Sequence, residues 1–109
     1  MNYTYLADLA KEANIPKDGI ISRTLYSDEQ VKAVIFGFSE GQELSEHTAS
    51  VPAIIYIIRG EARITLDEDT IQGKPGCWIH MPPKLPHSVT ATSDLLMLLL
   101  MLKSPTPAK

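Results

Sequence analysis

At 109 residues the chain is long enough for one domain with a modest core and too short for two. Its composition, 44% hydrophobic and 21% charged, is that of a folded protein rather than a disordered one. A net charge of −3 and a pI near 5.5 leave no basic footprint for nucleic acid or an anionic membrane surface.

The start Met1-Asn2-Tyr3-Thr4-Tyr5 lacks the basic and apolar stretches of a secretory signal. The longest apolar run, Leu95 to Leu102, falls far short of the roughly 20 residues a membrane helix needs. The single cysteine, Cys77, allows no internal disulfide and suits a small buried residue in a reducing compartment. The expectation is a soluble cytoplasmic protein with no membrane partner.

In chain order, Thr4 to Asn14 is the one helical candidate. Thr4 could cap it, and Leu6, Leu9, Ala10 and Ala13 make a narrow apolar stripe. Pro16 and Gly19 then end the pattern. Everything beyond reads as short strands between turns. Ile20 to Tyr26 and Val31 to Phe38 flank the polar Ser27-Asp28-Glu29-Gln30. Ala53 to Arg59 and Ala62 to Leu66 flank Gly60-Glu61 as a tight hairpin. Asp67-Glu68-Asp69 makes a solvated tip before Thr70 to Gln72, and Gly73-Lys74-Pro75-Gly76 turns the chain again. Cys77 to Met81, His87 to Thr92 and Leu95 to Leu102 follow, the first two separated by Pro82 to Pro86. Strands at this spacing predict a sandwich or barrel rather than βαβ units. The domain spans residues 1–109, with a core over about 20–102 and a fraying tail at 103–109.

Ile54 to Ile58 is apolar in succession, as is Leu95 to Leu102, so both faces of these strands need cover. A domain this small has little to cover them with, which predicts a homodimer. Trp78 and Tyr56 read as core aromatics, and Met97 and Met101 as core filler.

Two spacings carry the chemistry. Gly41, five residues, His47, then Ala49, Ala53 and Gly60 form one set; Gly76, Pro82 and His87 form the other. The two resemble the paired motifs of the cupins, over Gly37 to about Met101. That resemblance implies an all-β double-stranded β-helix, a jelly-roll barrel, here with a short N-terminal helix. It also implies a divalent metal held by two histidines and a glutamate of the first motif and a histidine of the second. This sequence matches at His47 and His87. It carries Ala49 and Ala53 where the other histidine and the glutamate would stand, Lys84 where the second motif has glycine, and Ala91 where it has asparagine.

The spacing has a meaning of its own. On a regular strand, alternate residues share a face, so His47, Ala49 and Ala53 point one way, together with Glu43 and opposite to Glu46. His47 and His87 could converge across the barrel and hold a late first-row ion (Fe, Mn, Ni, Zn or Cu) with water at the open positions. Two ligands hold an ion weakly, since stable sites use three or four. His80 reads as structural, although it and Glu43 are the residues at hand for a further ligand. Two alanines in place of ligands leave an apolar pocket with few polar anchors, the form of a small-molecule site. The sequence therefore points to a small barrel binding a small molecule, with a weakly held divalent metal. A metal-dependent enzyme of dioxygenase or isomerase type is the alternative.

Overall fold

The computed structural model describes residues 1–103; the predicted tail lies outside them but for its first residue. Nine strands follow a short N-terminal segment: β1 (Ile20–Ser27), β2 (Val31–Phe38), β3 (Glu43–His47), β4 (Ala53–Arg59), β5 (Ala62–Leu66), β6 (Asp69–Gly73), β7 (Trp78–Met81), β8 (His87–Ala91) and β9 (Leu95–Leu102). All pairings are antiparallel, in a five-stranded sheet ordered β1-β2-β9-β4-β7 and a four-stranded sheet ordered β3-β8-β5-β6. The predicted all-β jelly roll is the observed architecture.

The core lies between the sheets, and strand alternation decides what enters it. From the five-stranded sheet come Phe38, Ala53, Ile55, Ile57, Ile79, Met81, Leu95 and Met97, and from the other Ala62, Ile64, Val89 and Ala91. Burying each large apolar side chain contributes about 1.5–3 kcal/mol, and this shared interior is what holds the two sheets together. β4 makes the division plain: Ala53, Ile55 and Ile57 are buried, Ile54 and Ile58 half-buried, and Tyr56 exposed. In β7, Ile79 and Met81 point inward and leave Trp78 outside, 60% exposed and in register with Tyr56. Trp78 is thus no core aromatic; alternation outweighs the hydrophobicity of the ring.

The N-terminal helix is reduced to one 3-10 turn, Leu9–Lys11, capped by Asp8 rather than Thr4. The four-residue apolar stripe is too narrow to stabilise a longer helix against the sheet. The segment instead runs as a strap over the outer face of the five-stranded sheet. A Cβ on Gly37 would stand 2.8 Å from the Asn14 carbonyl oxygen, so only glycine lets the strap lie this close. Arg23 holds it with a 2.9 Å hydrogen bond to the Glu12 carbonyl and a 3.3 Å ion pair to the Glu12 carboxylate. Beneath the strap Ile35 and Leu96 are fully buried.

No helix among the described residues is long and apolar enough to cross a membrane.

Candidate functional site

β3 and β8 bring the two predicted histidines together. His47 closes β3, His87 opens β8, and the two are direct partners in the ladder. Their ring centroids are 4.2 Å apart with the planes tilted by 57°. His87 is buried and His47 exposed, so the pair spans the distance from the interior to the rim.

A bulge makes the pairing work. Leu44 pairs with Val89 and His47 with His87, so three steps along β3 match two along β8. The extra residue turns His47 to the side of Leu44, inward, despite their odd spacing. Glu43, paired with Thr90, then faces away from His47. Simple alternation had put Glu43 on the same face, and the bulge overturns that. His80 is also set apart: it pairs with Ile54, is exposed, and lies on the outer face between the inward Ile79 and Met81. Neither residue joins the histidine pair.

The two imidazoles are anchored alike. His47 Nδ1 lies 2.8 Å from the Ser45 carbonyl oxygen, and His87 Nδ1 lies 2.8 Å from the Leu85 carbonyl oxygen. A carbonyl can only accept, so each Nδ1 carries a proton, and in the neutral ring each Nε2 presents a lone pair. No buried side-chain nitrogen or oxygen among the described residues lacks a partner, and Nδ1 makes the one hydrogen bond His87 has there. His87 Nε2 therefore keeps access to open space at the mouth. Carbonyl-anchored imidazoles with free Nε2 atoms are the usual form of a metal-ligating or hydrogen-bond-accepting histidine.

The opposite wall carries three apolar residues in one row, and the row continues from Met101 to Lys32. Ala53 pairs with Met81 on one side and with Met101 on the other, and all three side chains face inward. On the histidine sheet, Leu66 pairs with His87. The rim is formed by the connections 48–52 and 82–86, tied by a 2.7 Å hydrogen bond from the Lys84 N–H to the Ala49 carbonyl. Lys84 has φ +71°. A side chain in that left-handed region costs about 1–2 kcal/mol, which explains why glycine suits this turn. The exposed tip Asp67-Glu68 stands at the same end, with the Asp67 N–H donating to the Pro86 carbonyl at 2.8 Å.

The donor set limits what a metal could find. Among the described residues no group of three or more His, Cys, Asp or Glu is placed to hold an ion. Ala49 and Ala53 offer no donor atom. The residues fit two corners of a nitrogen-and-carboxylate site and no more. A different cavity, of about 310 Å³, lies between Thr4, Leu6 and Tyr26 and includes no residue of the barrel mouth.

Sequence spacing identified His47, His87 and the two alanines; it missed Met81, Met101 and Leu66 as their surroundings. The signal was present in the alternation of β7 and β9, but only the register across β4 places both methionines beside Ala53.

Comparison with known proteins gives this architecture a context. The family model described as the cupin domain matches residues 34–103. An uncharacterized protein of Methanocaldococcus jannaschii is 35% identical over 82 residues, covering 69% of this chain and 65% of that protein. The chain thus spans just under two thirds of that relative. A conserved protein of unknown function from Streptococcus pyogenes superposes with a TM-score of 0.86 at 31% identity, over 97% of this chain and 93% of the other. A cupin superfamily protein from Desulfitobacterium hafniense has the same fold, with a TM-score of 0.79 at 24% identity, over 95% and 94% of the two chains.

Proposed function

The chain belongs to the cupin-domain family, and from that premise we propose that it binds a small organic molecule in the mouth of the barrel, between the His47–His87 pair and the apolar wall around Ala53. The observation that carries this reading is the pair itself: two imidazoles 4.2 Å apart, each with its proton fixed on Nδ1 by a backbone carbonyl. The Nε2 atoms accept hydrogen bonds from a hydroxyl, amide or protonated acid on the ligand. Leu66, Met81 and Met101 take its apolar part, and the missing side chains at Ala49 and Ala53 make room for it. A few polar anchors in an apolar recess give orientation and specificity together.

A divalent ion at the two Nε2 atoms would have two protein ligands and complete its shell with water or with the bound molecule. Such an ion is held weakly and exchanges readily. Its contribution, when bound, is Lewis-acid polarisation of a ligand oxygen.

A thermal-shift screen of metabolites, run with divalent metals and again with chelator, tests the reading. Organic ligands should raise the melting temperature of the wild type and lose that effect in His87→Ala. Stabilisation by metals alone would contradict it.

We also propose a homodimer, with a second copy as the occupant of the bare part of the outer sheet face. A stable interface needs about 800 Å² from each partner. Ile54, Tyr56, Leu98, Leu100 and Trp78 lie on neighbouring strands of that face. The unpaired Cys77 suits a reducing compartment such as the cytoplasm.

A further inference from the structure

We propose that the molecule held in the barrel mouth is a small hydroxycarboxylate, its carboxylate taken by the Lys32 ammonium and its hydroxyl donated to the histidine pair. The proposal rests on the reading of the mouth as an organic-ligand site and names the class of ligand it takes.

The register puts Lys32 there. Ladder partners on the five-stranded sheet give one row across all five strands: Met81, Ala53, Met101, Lys32 and Ser27. Met81, Ala53 and Met101 pack in the core, and direct partners share a face, so Lys32 is directed inward with them. The alternation of β2 agrees, since Phe36 and Phe38 also pack in the core and have the same parity. Two residues deeper, the row Ile79, Ile55, Leu99 and Val34 makes an apolar floor for the lysine stem. β2 runs away from the mouth and β3 returns to it after residues 39–42. Lys32, near the start of β2, and His47, at the end of β3, therefore lie at the same end of the barrel on opposite sheets.

The chain supplies no counter-ion. The one ion pair among the described residues is Arg23–Glu12. In the turn before β2, the Asp28 carboxylate accepts from the Tyr26 hydroxyl and from the Gln30 and Val31 N–H groups, and Glu29 is exposed. A second cation stands at the end of the row. The Lys103 ammonium donates to Ser27 Oγ at 3.2 Å and to the Asp28 carbonyl at 2.7 Å, and Ser27 is the ladder partner of Lys32. Lys32 is half-buried, so it has given up part of its hydration with no carboxylate in return. An anion entering the mouth offsets that loss. The acids stand at the far edge, where Leu66 pairs with Asp69 beside the tip Asp67-Glu68. The mouth is thus positive on its β1–β2 side and negative on its β6 side, which orients a monoanion.

Donor chemistry narrows the class. A phosphate ester needs several donors around its three oxygens, and Lys32 is a single uncommitted ammonium, so the match is to a carboxylate. Each imidazole has Nδ1 committed to a carbonyl, so the neutral rings accept and do not donate. The group that meets them is a hydroxyl rather than a second carboxylate.

Matched ligands provide the test. Untagged full-length protein in chelator is titrated calorimetrically with glycolate, lactate, 3-hydroxybutyrate, malate and gluconate. The amide of each acid and glycerol phosphate are run beside them. At least one hydroxy acid should bind one to one, shift the Lys32 and His87 side-chain resonances, and bind about tenfold or more tighter than its amide. Lys32→Met keeps the stem and removes the charge; it should erase that difference while amide affinity stays unchanged. Lys32→Arg should retain it, and melting temperatures verify that both variants fold. Acid and amide of equal affinity, as for a lysine that only keeps its head in water, would overturn the proposal. So would acid binding that survives Lys32→Met, or tighter binding of glycerol phosphate than of any acid. Neutral ligands that bind alone and are lost in His87→Ala would overturn it and leave the organic-ligand reading standing. A panel with no ligand at all would overturn both.

Discussion

Gly41, Gly60 and Gly76 share φ values of +90°, +86° and +92°, yet replacing each with alanine should have very different consequences. A Cβ at any of them meets the left-handed penalty of about 1–2 kcal/mol. At Gly41 and Gly76 that is the whole cost, because nothing lies within 4 Å of the added atom. At Gly60 the atom would overlap the Asp94 carbonyl oxygen and stand 2.9 Å from its carbon and 3.0 Å from Leu95 Cα. All three are backbone atoms, so one of the two turns must move. The turns are joined by the Glu61 N–H donating to Ser93 Oγ at 2.9 Å and the Thr92 N–H donating to the Glu61 carbonyl at 3.0 Å. Losing both adds about 2 kcal/mol to the strain, for a total of about 3–4 kcal/mol. For a domain near 100 residues, each kcal/mol lowers the melting temperature by about 4 °C. Thermal unfolding followed by circular dichroism should show Gly60→Ala about 12–16 °C below wild type, and Gly41→Ala and Gly76→Ala about 4–8 °C below. A Gly60→Ala protein as stable as Gly41→Ala would refute the close approach of the two turns.

Three further outcomes follow from the site and its frame. Ala53→Glu places a carboxylate at a buried position between Met81 and Met101; its melting temperature should fall in chelator by the equivalent of about 3 kcal/mol and recover when Zn(II) or Mn(II) is added, with no matching rise in wild type. Lys84→Gly removes the left-handed side chain and should raise stability by about 1 kcal/mol in urea unfolding; an unchanged midpoint would mean that the turn is not strained. Asp28 accepts hydrogen bonds from the Tyr26 hydroxyl and from the Gln30 and Val31 N–H groups, which hold its carboxyl below the usual 3.8. Because the native value is the lower one, its stabilisation is present above the ordinary carboxylate range and is lost as pH falls through the native value. Urea midpoints between about pH 5 and pH 2 should therefore drop more steeply for wild type than for Asp28→Asn.

Light scattering addresses the outer face: the wild type should run as a dimer at micromolar concentration and Trp78→Lys as a folded monomer. A monomeric wild type would contradict the proposed partner.

How much of this could be read from the sequence depends on whether the signal was local. The turns at Gly60, Gly73 to Gly76 and Pro82 to Pro86 punctuate the strands visibly, and the motif spacings place His47 and His87 at one site. The β3 bulge was hidden, because no residue between Leu44 and His47 announces it; counting alternate residues then put Glu43 beside His47 when Leu44 holds that face. Thr4 to Asn14 has helical spacing but too little apolar surface, and its real constraint, the close passage over Gly37, comes from a strand more than twenty residues later. Trp78 was legible after all. Ile79 and Met81 form one face of β7, with Cys77 just before it on the same side, so Trp78 and His80 had to take the other. Met81 and Met101 meet beside Ala53 only through cross-strand pairing, which no linear pattern encodes.

Long-range ¹H–¹⁵N correlation of histidine-labelled protein at a pH where the rings are neutral reads both tautomers directly. Nδ1-protonated forms for His47 and His87, with cross-relaxation between the two rings, are the predicted result. An Nε2–H tautomer at His87, or rings that show no contact, would mean that no pair of free nitrogens faces the barrel mouth.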